Sequence, residues 1–115
     1  MTSKMTTAPK ALIKIDFGAG LKLGSGKVRL LELVAETGSI SAAARKMEMS
    51  YRRAWLLIDE LNDMFGKPVV ETSAGGSGGG GAKVTEFGKQ VVAAFNEIET
   101  DANQLVKNKL VELLK

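Results

Sequence analysis

The chain contains neither cysteine nor histidine. The first absence excludes disulfides, thiolate metal sites and a thiol nucleophile. The second removes the commonest general base and the commonest metal ligand. No pair of carboxylates stands out as a catalytic arrangement, so the chain is not expected to be an enzyme, and neither a metal nor a cofactor is expected in it. No apolar run approaches the roughly 20 residues of a membrane span, and the N-terminal MTSKMTTAPK lacks the apolar stretch of a secretory signal. A cytoplasmic protein with no membrane partner is therefore expected. At 115 residues there is room for one domain with a modest core.

What is present is an uneven charge. The formal net charge is only +3. Residues 1–53, however, hold ten Lys/Arg against four Asp/Glu, whereas residues 54–115 hold six against nine. A basic half joined to an acidic half suits a polyanionic partner better than a uniform +3 would.

The basic half contains the stretch around which the chain is organised, Gly38 to Leu61, GSISAAARKMEMSYRRAWLLIDEL. It reads as two short helices and a tight turn. Ser39 or Ser41 caps the first helix, since a serine hydroxyl accepts from an otherwise unpaired N-terminal N–H. Ala43, Ala44 and Met47 form its apolar edge. Met49 plugs the connection, Ser50 caps the second helix, and Ala54, Leu57, Ile58 and Leu61 form the buried stripe of that helix. Arg52 and Arg53 are left facing outward from its first turn. Basic residues at the start of a capped second helix are what a helix-turn-helix presents to the DNA major groove. Two arginines alone would more simply be a solvated face. Tyr51, at the exposed start of the helix, is a contact candidate, while Trp55 lies near the buried stripe and reads as core.

Around this unit, residues 1–9 show no periodicity and read as a disordered tail. Lys10–Phe17 mixes apolar and basic residues at a period near two and reads as a strand, ended by Gly18, Gly20, Gly24 and Gly26. A helix is expected over Ser25–Glu36, with Val28, Leu31, Val34 and Ala35 inward, Leu30 and Leu33 widening the face, and Thr37-Gly38 ending it. Gly66-Lys67-Pro68 closes the helix begun at Ser50. Val69–Thr72 and Lys83–Thr85 read as two strands flanking a glycine loop. Residues 86–114 form a long helix capped by Thr85, with Val91, Phe95, Ile98, Ala102, Leu105, Leu110 and Leu113 as its apolar stripe. So long a stripe outruns the body available to cover it, and its expected partner is a second copy.

The loop SAGGSGGGGA formally contains G-x-G-x-x-G, but a nucleotide fingerprint requires a strand before and a helix after it. Here a strand follows. Gly24-Ser25-Gly26-Lys27 suggests a phosphate loop, yet Leu21 occupies the position of the first glycine and Val28 that of the Ser/Thr.

The segments GSIS, AAA, MSYRRAW, LIDELN, VVE, the glycine loop and VTEFG together resemble the N-terminal DNA-binding domain of the bacterial molybdate-responsive (ModE-type) regulators, a winged helix similar to that of LysR-type regulators. The likeness spans about residues 10–115. It implies a homodimer on double-stranded DNA, with Ser50, Tyr51, Arg52 and Arg53 at the groove and Ser41 at a phosphate. Lys83, on the strand leaving the loop, joins this candidate DNA-binding set. The wing would be formed by Gly75, Gly76, Gly78, Gly79, Gly80 and Gly81. Glu48 stands where such a turn usually has glycine, because the turn favours positive φ. Thr72 and Ser77 replace basic wing residues. Ser73-Ala74-Gly75 resembles the start of an oxyanion motif, but the basic and amide residues that should follow are absent, and the family's molybdate-binding C-terminal domains have no counterpart here. Molybdate binding is thus not assigned.

The expected architecture is mainly α with a small β wing: a winged helix-turn-helix over 10–85 and a dimerisation helix over 86–115. The expected function is a sequence-specific transcription regulator acting on a palindromic operator and linked to molybdenum metabolism. The alternative is a protein-interaction module that heterodimerises with a full-length regulator.

Overall fold

The computed structural model describes residues 8–73 and 81–115. The tail reading therefore rests on residues 8 and 9 alone, which carry no regular structure, and residues 1–7 lie outside the description. The order of elements is β1 (Lys14–Gly18), β2 (Leu21–Gly24), α1 (Ser25–Thr37), α2 (Ile40–Lys46), α3 (Tyr51–Phe65), β3 (Val70–Thr72), β4 (Ala82–Val84) and α4 (Glu86–Leu110), with a 3-10 turn at Glu112–Leu114. This is a mainly α winged helix-turn-helix with a long trailing helix.

The first strand is shorter than its alternation suggested, and it has a partner that the glycines concealed. β1 and β2 pair antiparallel, Lys14 opposite Gly24 and Ile15 opposite Leu23. Gly18, Ala19 and Gly20 all take positive φ to make the turn. Ala19 alone carries a side chain in that conformation, so the two glycines relieve most of the cost.

Helix α1 runs through the core, burying Val28, Leu30, Leu31, Leu33 and Val34, whereas Ala35 is exposed. It ends on Gly38 in the left-handed region, whose N–H donates to Val34 O at 2.8 Å. Ile40, Ala43 and Ala44 of α2 and Ala54, Leu57, Ile58 and Leu61 of α3 close over it. The fully buried alanines let the helices approach closely.

Helix α3 ends in the same way on Gly66 at φ 68. Asn62 Oδ1 then accepts from Val69 N–H at 2.9 Å and steers the chain into β3. β3 and β4 pair Val70 with Val84, Glu71 with Lys83 and Thr72 with Ala82. Thr85 starts α4: its Oγ1 accepts from Gly88 N–H at 2.9 Å and donates to Pro68 O at 2.8 Å.

Helix α4 is about 37 Å long at 1.5 Å per residue. Its first turns bury Gly88, Val91 and Phe95 in the core. Val91 and Phe95, read from sequence as part of a dimer stripe, therefore pack inside their own chain. Beyond them Ile98, Leu105, Leu110 and Leu113 are exposed. The N-terminal segment is pinned beside this half of the helix, where Ala11 N–H donates to Asn103 Oδ1 at 2.7 Å.

Candidate nucleic-acid interface

The presented face is set by two caps and one turn. Ser39, rather than Ser41, caps α2, its Oγ accepting from Ala42 N–H at 3.0 Å. Ser50 Oγ accepts from Arg53 N–H at 3.0 Å and starts α3. Between the helices, Glu48 N–H donates to Arg45 O and Met49 N–H to Ala44 O, both at 3.0 Å. These two bonds make a Schellman turn, which needs a left-handed residue just past the helix. Glu48 supplies it at φ 57. The turn keeps the geometry usually given to glycine, with a carboxylate side chain in its place.

The turn holds the start of α3 outward. Ser50, Tyr51, Arg52 and Arg53 are exposed, and Tyr51 is 55% exposed despite its size. Trp55, one turn on, is half-buried and meets the Tyr51 ring edge-on with centroids 6.4 Å apart. Trp55 thus serves both the core and the presented face. Arg45 and Lys46, in the last turn of α2, are also exposed. Neither these two nor Arg52 and Arg53 form an ion pair with a described residue. Four such cations on adjoining turns make a positive surface.

The wing root is tied to this face. Ala82 N–H donates to Gly38 O at 3.0 Å, Ser73 N–H to Gly81 O at 3.0 Å, and Gly81 N–H to Ser73 Oγ at 3.2 Å. A cleft of about 270 Å³ lies between the root and the helices, with Ser39, Ser41, Tyr51, Trp55, Thr72 and Ser73 among its lining. Lys83 lies outside it, exposed on β4 opposite Glu71. Of the wing glycines, Gly81 is described; Gly75, Gly76, Gly78, Gly79 and Gly80, like Ser77, fall outside the described residues. The sequence pattern did not single out Ser39, Arg45, Lys46 or Ser73 as part of this face. A basic pair closing a capped helix was the available signal for Arg45 and Lys46. The serines become neighbours only through the fold.

A second surface shares no lining residue with this cleft. An apolar groove of about 460 Å³ runs between the β1–β2 hairpin and α4, lined by Ile15, Phe17, Phe65, Phe87, Ala94 and Ile98 among others. Phe65 stacks edge-on with both Phe17 and Phe87, at 5.2 and 5.5 Å between centroids. The groove is continuous with the exposed half of α4 through Ile98.

Comparison with known proteins agrees with this geometry. The chain is 38% identical over 89 residues to the molybdenum-pterin-binding protein MopA of Rhodobacter capsulatus, covering 77% of this chain and 34% of that protein. It is 36% identical over 91 residues to the molybdenum transport protein ModE of Azotobacter vinelandii, covering 79% and 34%. Identity to the DNA-binding transcriptional dual regulator ModE of Escherichia coli is 37% over 70 residues, covering 61% and 27%. The chain thus spans about a third of the length of the curated relatives it matches. In fold it is similar to the crystal structure of VV2_1132, a LysR family transcriptional regulator, with a TM-score of 0.56 at 20% identity over 77% of this chain and 30% of that one. Residues 26–89, from the start of α1 into the first turn of α4, match the family of bacterial regulatory helix-turn-helix proteins of the lysR type, and the chain belongs to that family.

Proposed function

We propose that the chain is a sequence-specific DNA-binding transcription regulator that acts in the cytoplasm as a homodimer on a palindromic operator. The observation that carries this reading is the exposed start of α3. Ser50 caps it, Tyr51, Arg52 and Arg53 stand out from it, and Arg45 and Lys46 flank it. A helix of this kind enters the major groove by its N-terminal residues, with side chains reaching base edges and phosphates. The function is binding and requires no chemistry from the chain. The relatives' names tie them to molybdenum, and we extend that link to the genes this chain regulates.

The exposed half of α4 supports the homodimer. Ile98, Leu105, Leu110 and Leu113 are 42–75% exposed, and the apolar groove extends the same surface. A face of this size costs solubility unless it is covered, and a two-fold partner covers it with an identical face.

Selection from random DNA by the purified chain tests the reading. A two-fold dimer places two recognition helices in successive major grooves, about 34 Å apart. The recovered site is expected to be an inverted repeat, and inserting roughly five base pairs, half a helical turn, between its halves is expected to abolish tight binding. Binding that ignores sequence and vanishes as salt is raised would instead be the general attraction of basic side chains to DNA. That result would favour an interaction module.

A further inference from the structure

We infer that Leu56 is a specificity-determining residue that meets the C5 methyl group of a pyrimidine, that of thymine, in the major groove. This rests on the DNA-binding reading above. Leu56 lies in the second turn of α3 and is 46% exposed. It is neither in the buried core nor packed against it. A single exposed leucine is ordinary on a protein surface; the place of this one sets it apart. At 3.6 residues per turn, Arg52, Leu56, Asp59 and Asp63 form one outward stripe along α3. All four are exposed, and the stripe lies opposite Ala54, Leu57, Ile58 and Leu61, which are buried.

The stripe changes character along the helix. Arg52 begins it with a cation, Leu56 follows as its one apolar member, and Asp59 and Asp63 end it with two carboxylates. Carboxylates are repelled by the phosphates that line the groove, so the contact runs from the N-terminal end of α3 to about Leu56. Leu56 is thus the last side chain of the stripe within reach of the bases. It stands about 6 Å along the helix axis from Arg52, close to two base-pair steps of roughly 3.4 Å each. A leucine neither donates nor accepts a hydrogen bond, so a donor or acceptor on a base edge would lose its water to it without return. The apolar group that the major groove displays is the C5 methyl of thymine. A 5-methylcytosine carries the same methyl on the same ring carbon.

Replacing thymine by deoxyuridine removes that methyl and nothing else. In a duplex recovered by selection, each thymine is so replaced in turn. At one position per half-site the change should weaken the unaltered chain about three- to five-fold, the equivalent of one buried methyl group. It should have little further effect on Leu56→Ala, whereas Leu56→Met should respond as the unaltered chain does. The salt slope should stay unchanged, because no charge is added or lost. Leu56→Ala should keep at least the Tm of the unaltered chain, since truncating an exposed side chain leaves the fold intact; this separates a lost contact from a lost fold. Replacing each cytosine in turn by 5-methylcytosine tests the other source of the same methyl. A gain there that Leu56→Ala lacks, with no thymine coupled, would assign the contact to methylated cytosine. If the unaltered chain binds the duplex and no pyrimidine position couples to Leu56, the contact is overturned and the regulator reading stands. If the unaltered chain does not bind DNA, both fall.

Discussion

Gly88, in the first turn of α4, crosses Val69 so closely that a Cβ there would overlap the Val69 carbonyl oxygen and lie 2.6 Å from Val84 Cγ1. That carbonyl also accepts from Thr85 N–H at 3.0 Å, so it cannot swing away without disturbing the cap that starts α4. The long helix, the residue that leads into β3 and the strand β4 therefore meet at a point where only hydrogen fits.

This crossing gives the first prediction. Gly88→Ala inserts a methyl against rigid backbone, and overpacking of that kind costs about 1–3 kcal/mol or somewhat more. The gain in intrinsic helix propensity, about 1 kcal/mol, does not offset it. Chemical denaturation should show a lower midpoint with an unchanged slope. An equal or higher midpoint would mean that the crossing is looser than described.

The Glu48 turn makes the opposite prediction. A left-handed residue with a side chain costs about 1–2 kcal/mol, and glycine removes that cost while giving back roughly 0.5–1 kcal/mol of unfolded-chain freedom. Glu48→Gly should stabilise the protein by up to about 1 kcal/mol, which raises Tm by roughly 4–8 °C per kcal/mol in a domain of this size. Glu48→Val should lower Tm, because a β-branched residue is poorly suited to that region. A lower Tm for Glu48→Gly would show that the carboxylate makes a contribution that outweighs the strain.

These two residues mark where the sequence was legible and where it was not. The helix-turn-helix could be read because its signals are local: serine caps, apolar stripes at helical spacing and glycine stops at Gly38 and Gly66. The position of Glu48 was readable as needing positive φ, and the structure keeps that φ. β2 was not readable, because Gly18, Gly20 and Gly24 punctuate Leu21–Gly24 so heavily that the segment looks like a break. The two roles of α4 were likewise merged. A single stripe from Val91 to Leu113 has one periodicity, yet its beginning fills the chain's own core and its end is bare. The cleft between the wing root and the helices draws on residues more than thirty positions apart, and no spacing announces it.

Arg52 and Arg53 have separable roles to be measured. Removing a side chain that reads a base costs on the order of 1–3 kcal/mol and relaxes preference at one position. Removing one that grips a phosphate weakens all sequences alike and reduces the salt slope by about one. At least one of the two is expected to read a base. If Arg52→Ala and Arg53→Ala both leave affinity unchanged, α3 does not lie in the groove.

The sense of the proposed dimer is the last prediction, and it comes from charge along α4. Residues 86–101 carry Glu86, Glu97, Glu99 and Asp101 against Lys89, whereas residues 102–115 carry Lys107, Lys109 and Lys115 against Glu112. Two copies side by side in the same direction would set acidic half against acidic half. Reversing one sets acidic against basic and avoids both like-charge pairings. The exposed apolar residues agree with a reversed register centred near Ala102, which places Ile98 opposite the partner's Leu105 and leaves a small side chain at the axis. Because the chain has no cysteine, single cysteines report the register directly. A disulfide forms only where Cα atoms come within about 7 Å. Under mild oxidation Ala102→Cys should crosslink to itself, whereas Ile98→Cys and Leu105→Cys should each remain uncrosslinked alone and crosslink when mixed. Self-crosslinking at both 98 and 105 would mean a parallel pair. A stable monomer at micromolar concentration by sedimentation, with no crosslink at any of the three positions, would remove the dimer and, with it, the expectation of a palindromic operator.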